Sequence, residues 1–103
     1  QDPIVSHLPA SFSMTDEWYS FQQPPKDVEV LLTLDESTYS PKILFHDISM
    51  GKDHPIAWKH CQGKGRVFYG APGHLASTYT DPRYARVLEQ ATRWAMQPDP
   101  ACQ

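Results

Sequence analysis

Only one stretch of this chain, residues 82–96, carries a clear helical period, and it comes after every strand-like run. A parallel sheet needs crossover helices between its strands. Several strands followed by one terminal helix therefore cannot make a complete parallel α/β sheet, only an edge and closing helix of one. The helix itself is well marked. Asp81 is a suitable N-cap, and Pro82 falls at the first helical position, where a missing N–H costs nothing. Tyr84, Val87, Leu88, Ala91 and Ala95 recur at helical spacing with Trp94 beside them, and Pro98 ends the run. Arg83, Arg86, Gln90 and Arg93 fall on the other side, as a solvated face would.

Among the earlier runs, Val28 to Leu34 (VEVLLTL) is the clearest strand, and its low interior polarity predicts burial on both faces. Ile56 to His60 is a second strand. Gln62-Gly63-Lys64-Gly65 then makes a tight reversal and Arg66 to Gly70 returns, which is a hairpin signal. Thr15 to Phe21 alternates Trp18 and Ser20 with Tyr19 and Phe21, a candidate strand. Residues 1–12 read as an extended lead-in, because prolines disfavour helix at the residues before them. Residues 35–53 are the least regular part: 43–45 fit a short strand or one helical turn, and 50–53 a loop.

At 103 residues the chain is at most one domain. A formal charge of −3, with nine scattered Lys and Arg, excludes a basic nucleic-acid-binding stripe. No apolar run approaches the roughly 18–20 residues that span a bilayer, so the expectation is a soluble protein without a membrane partner. Gln1-Asp2-Pro3 is neither an initiator Met nor a signal peptide, and the chain reads as beginning mid-sequence. A cytoplasmic location is slightly favoured, with secretion left open. Cys61 and Cys102 are expected to be free thiols, since Cys102 lies in a Pro-rich tail and two cysteines make no disulfide framework.

Several chemistries can be weighed on the residues. Gly63-Lys64-Gly65-Arg66 leads into a strand rather than a helix, so it is a hairpin turn and not a phosphate loop. Five histidines invite a metal reading, yet none forms H-x-H, H-E-x-x-H or a zinc-finger spacing. A divalent metal such as zinc could still be held by a set assembled from Glu17, His54 or His74; any cofactor beyond that is left open. No G-x-S-x-G elbow occurs, and Cys61 sits inside a strand, which argues against nucleophilic catalysis. Asp16-Glu17 beside Trp18-Tyr19 is the best acidic candidate for acid–base work, with aromatic faces suited to stacking on sugar rings. The alternative there is an ordinary strand start with exposed acids. His74, after the hairpin, is the best base or ligand; the alternative is a loop histidine bonded to backbone.

Five segments in order, DPIVSHLPASFSMTDEWY (2–19), VEVLLTLDE (28–36), MGKDHPIAW (50–58), GKGRVFYGAPGH (63–74) and DPRYARVLEQATRWA (81–95), resemble the C-terminal half of a ThuA-like (trehalose-utilisation) domain. The resemblance implies an α/β, flavodoxin-like, class I glutamine amidotransferase-like three-layer sandwich. Only its C-terminal half is present here: strands, a hairpin and a C-terminal helix. Residues 1–97 would be the C-terminal part of one domain and 98–103 a Pro-rich tail. The rest of the domain, upstream of Gln1, would supply the other wall of the pocket. The resemblance implies catalytic roles for Glu17, His74 and His54, and substrate contacts from Asp16, Trp18, Tyr19 and Trp58. Ala71-Pro72 departs from the family's usual pair. Amidotransferase relatives pair a Cys with a His-x-Glu; position 76 is Ala, so glutamine hydrolysis by that triad is not expected. The implied function lies in carbohydrate metabolism, acting on a trehalose-type disaccharide or an oxidised sugar. The alternative is a non-catalytic sugar-binding or protein-interaction module. A homo-oligomer remains open.

Overall fold

The computed structural model describes residues 2–43, 46–97 and 102. In chain order the elements are β1 (Glu29–Thr33), a short 3-10 turn (Glu36–Thr38), β2 (Lys42–Ile43), β3 (His46–Asp47), β4 (Pro55–Gln62), β5 (Gly65–Gly70), α1 (Ala76–Thr80) and α2 (Pro82–Met96). β1, β4 and β5 form an antiparallel sheet with β4 in the middle, and β2 and β3 pair separately. The fold is therefore mixed α/β, with a three-stranded antiparallel sheet and C-terminal helices.

The expected hairpin is present. Gln62 pairs with Gly65 across a two-residue turn, and Gly63 takes a φ of 60°, which a residue without Cβ adopts freely. Successive strand residues point to opposite faces, and this sorts the sheet into two sides. Trp58 and Tyr69 are cross-strand partners whose rings stack at 4.4 Å between centroids, with Phe21 edge-on to both. Lys59 and Phe68, one residue on, face the helix: Phe68 packs against the core cluster and Lys59 lies over the Trp94 ring.

Helix α2 spans the predicted residues. Asp81 caps it by accepting the Arg83 N–H at 2.9 Å, and Tyr84, Val87 and Ala91 form its buried stripe. Ala95, placed on that stripe by spacing, is exposed, because the last turn runs past the edge of the core.

The structure corrects four further expectations. First, β1 is an edge strand, not one buried on both faces; Glu29, Val30 and Thr33 are exposed. Its register against β4 slips around Leu31 and Leu32, and both leucines reach the core. A bulge lets consecutive apolar residues serve one face. Second, residues 15–21 form no strand; the alternation there is met by packing, with Phe21 against Trp58. Third, the lead-in is not extended. It turns, with Val5 N–H to Asp2 carbonyl and Leu8 N–H to Val5 carbonyl, and delivers Ile4, Val5 and Leu8 onto α2 as part of the core. Asp2 also pairs with Lys59, and the His7 ring contacts the Arg83 carbonyl at 3.0 Å.

Fourth, Cys61 and Cys102 are joined in a disulfide, with Cα atoms 5.4 Å apart. The helix end is already held to the sheet, since Arg66 donates to the Trp94 carbonyl at 2.6 Å and lies over the Trp94 ring. Cys102 is buried at its bond to Cys61, near the end of β4. Residues 44–45 of the ambiguous 43–45 segment, and all of the Pro-rich tail except Cys102, lie outside the described residues. Among those described, no helix is long and apolar enough to cross a membrane.

Candidate functional site

After β5 the chain runs through Ala71, Pro72, Gly73, His74 and Leu75 into α1. The backbone N–H groups of the loop just before α1 lie outside its hydrogen-bond ladder, and a side chain from far upstream meets them. One oxygen of Asp16 accepts from the Gly73 N–H at 2.7 Å and the Thr78 hydroxyl at 2.8 Å. The other accepts from the N–H groups of Glu17 (2.8 Å), His74 (3.1 Å) and Leu75 (3.2 Å). Burial pushes the Asp16 carboxyl up, but the hydrogen bonds from Glu17, Thr78, Gly73 and Leu75 outweigh it and leave the group below its ordinary value.

The loop also depends on Gly73. Its φ is 143°, a conformation that side chains rarely adopt, and the Tyr79 ring occupies the space a Cβ would need. The Tyr79 hydroxyl donates back to the Gly73 carbonyl at 2.9 Å, which holds this exposed ring beside His74.

With Asp16 fixed on the loop, the next residue meets the histidine. Glu17 Oε2 lies 2.8 Å from His74 Nδ1, with both side chains about half exposed. Among the described residues, Nε2 of His74 has no hydrogen-bond partner. A carboxylate on one ring nitrogen fixes the tautomer and leaves the other nitrogen to take or give a proton. A cleft of about 370 Å³ borders this segment, lined by Ser13, Thr15, Ser77, Thr78, Asp81 and Arg83.

His54 is elsewhere in character. Its side chain is fully buried; Nδ1 lies 2.7 Å from Glu36 Oε2 and Nε2 lies 2.8 Å from the Tyr19 carbonyl. Glu36 also accepts from the N–H groups of Met50 (2.6 Å) and Gly51 (3.0 Å). The Met50 N–H bond, with those from His54 and Gly51, holds the Glu36 carboxyl below its ordinary value against a smaller opposing effect of burial. Burial, then the Glu36 charge, pushes the nearby Tyr39 hydroxyl up.

The residues singled out from sequence thus separate into three environments. Glu17 and His74 meet, with Asp16 consumed in shaping the loop that carries His74. Tyr19 is exposed and Trp18 half-buried, both following directly on Glu17. Trp58 is buried in the stack with Tyr69. His54 is paired with Glu36 rather than with the other two metal candidates, and no group of three or more His, Cys, Asp or Glu among the described residues could hold a metal ion. Glu36 and Tyr79 went unrecognised in the sequence, as did the left-handed conformation that Gly73 supplies beside His74. Glu36 lies two residues past the end of the predicted strand, after Asp35, and a pair of acids at a strand end was a usable signal. Tyr79 sits on a helix too short to show a period.

A family model described as ThuA, trehalose utilisation, matches residues 1–95. No curated protein and no solved structure matches the chain.

Proposed function

The chain belongs to the ThuA family, and from that premise we propose that it carries a general acid–base dyad, Glu17 and His74, acting on a trehalose-type disaccharide or an oxidised sugar derivative. The observation that carries this reading is the 2.8 Å contact between Glu17 Oε2 and Nδ1 of the half-exposed His74, which leaves Nε2 without a hydrogen-bond partner among the described residues. Glu17 orients the ring and balances the charge that forms when Nε2 accepts a proton from a substrate hydroxyl or returns one to a leaving oxygen. On this reading the aromatic rings of Trp18 and Tyr19, which follow Glu17 in sequence, and of the exposed Tyr79 stack on a sugar ring, and Asp16 acts on substrate only through the loop it holds. The family premise supports a flavodoxin-like, class I glutamine amidotransferase-like architecture. Ala76, standing where a His-x-Glu pair needs its acid, argues against glutamine hydrolysis.

The exposure of the dyad favours a second reading, a sugar-binding or protein-interaction module without catalysis, since catalytic groups work best in water-excluded sites. It is equally met if polypeptide beyond this sequence supplies the opposite wall. The experiment is turnover and binding of trehalose and its oxidised derivatives by the whole protein, compared with Glu17→Gln and His74→Gln. The acid–base reading expects turnover to fall by about 10²–10⁴-fold in each variant with the substrate still bound. Unchanged turnover in both removes the catalytic roles, and unchanged binding as well removes the site.

A further inference from the structure

The segment bearing Glu17 is gripped at both ends. Asp16 is held by the 73–75 amides and Thr78, and the Tyr19 carbonyl is met by Nε2 of the buried His54. A carbonyl oxygen can only accept, so Nε2 carries a proton. Nδ1 faces Glu36 Oε2, and that carboxylate already accepts two backbone N–H groups, so it too is an acceptor. A neutral ring would turn a lone pair toward one of these oxygens, and because the ring is fully buried such a mismatch is costly.

We propose that the Glu36–His54 pair is a positioning device for the Glu17–His74 dyad: a buried imidazolium, held by Glu36, fixes the Tyr19 carbonyl and so sets where Glu17 meets His74. Among the described residues, Glu36, the Tyr39 hydroxyl 3.5 Å from Nδ1 and the Tyr19 carbonyl are the polar groups that bond the ring. Glu36 also ties in the 49–51 loop through Met50 and Gly51, and the Met50 sulfur accepts from the Phe21 N–H at 3.2 Å. One carboxylate therefore links the start of β4, that loop and the 16–21 segment. The proposal rests on the dyad reading above.

The test is long-range ¹H–¹⁵N NMR of the histidine rings at one neutral pH, on the whole protein and two variants. In the unaltered protein, both ring nitrogens of His54 are expected to carry protons. Glu36→Gln keeps the size and the backbone acceptor but removes the charge. It is expected to strip one proton from His54 and to shift or abolish the His74 Nδ1–H signal at a distance. Glu17→Gln is expected to change the His74 signals while leaving His54 as it was. If Glu36→Gln loses the near-ultraviolet dichroism of the Trp58–Tyr69 stack, Glu36→Asp, with its carboxylate one methylene short of Nδ1, takes its place. A single ring proton on His54 in the unaltered protein overturns the proposal. So does a His74 signal indifferent to the Glu36 change, with the dyad itself left standing. If His74 ignores Glu17→Gln, the dyad reading fails and the positioning role falls with it.

Discussion

The Asp16 carboxylate accepts the Gly73 amide at 2.7 Å across 57 residues of sequence, and with the neighbouring amides it makes one acid the organiser of the loop that presents His74. Substituting Asp16→Ala leaves the N–H groups of Gly73, His74 and Leu75 and the Thr78 hydroxyl without their acceptor. A buried donor left unmet costs about 1–3 kcal/mol. Thr78 is buried, so urea unfolding is expected to show a loss of about 2–3 kcal/mol. Asp16→Asn, which keeps an acceptor oxygen, is expected to lose less.

Gly73→Ala is expected to disrupt the same loop from the other side. The 143° φ alone makes any Cβ unfavourable by about 1–3 kcal/mol, and the Tyr79 ring blocks the space besides. The two penalties separate in a double-mutant cycle. Combined with Tyr79→Ala, the glycine substitution is expected to cost less than it does alone, while retaining the backbone part. A fully additive cycle would show that the Tyr79 ring is not the obstacle.

What was legible in the sequence followed from local rules. The Asp81-Pro82 start of α2 and the Gly63-Lys64 turn were readable because cap and turn chemistry act within a few residues. Glu17 and His74 could each be nominated by residue type and family likeness, but nothing local says that they touch. Their meeting depends on Asp16 reaching across the fold, a contact with no period or spacing to betray it. β1 misled for a related reason: VEVLLTL looks buried on both faces, yet a bulge lets Leu31 and Leu32 serve one core while Val30 stays exposed. The lead-in hid its core role because Ile4, Val5 and Leu8 lie in turns, where hydrophobic periodicity has no meaning.

The Cys61–Cys102 bond closes a separation of 41 residues that includes β5 and both helices. Restricting the unfolded chain over such a loop stabilises the fold by about 4 kcal/mol on the chain-entropy account. Cys102→Ser is therefore expected to lower stability by up to that amount, and the unaltered protein in reductant is expected to match the variant. Thiol titration without reductant checks the premise: the unfolded, unreduced protein should show no free thiol. Two reactive thiols there would return both cysteines to the unpaired state that the Pro-rich tail suggested.

Acid should loosen the site before it unfolds the helix cap, because three of the carboxylates with lowered pKa values, Glu36, Asp16 and Asp81, serve different parts of the fold. A carboxyl group whose folded pKa is depressed contributes stability that is complete above its unfolded value and is lost as pH falls through the folded one. For Glu36 that loss begins near the ordinary value of 4.5, and for Asp16 near 3.8. Asp81, whose carboxyl is held down by hydrogen bonds from the Arg83 side chain and backbone, is brought to about 2 and is the last to protonate. Stability is thus expected to be level from neutral pH to about 5 with respect to these groups, and then to decline toward pH 2. Removing Asp16 should flatten the part of that decline below pH 4. Urea titrations of the unaltered protein and Asp16→Asn at pH 7, 5, 4 and 3 measure this directly. Parallel curves for the two proteins across that range would mean that the Asp16 hydrogen bonds to the 73–75 loop do not form in solution.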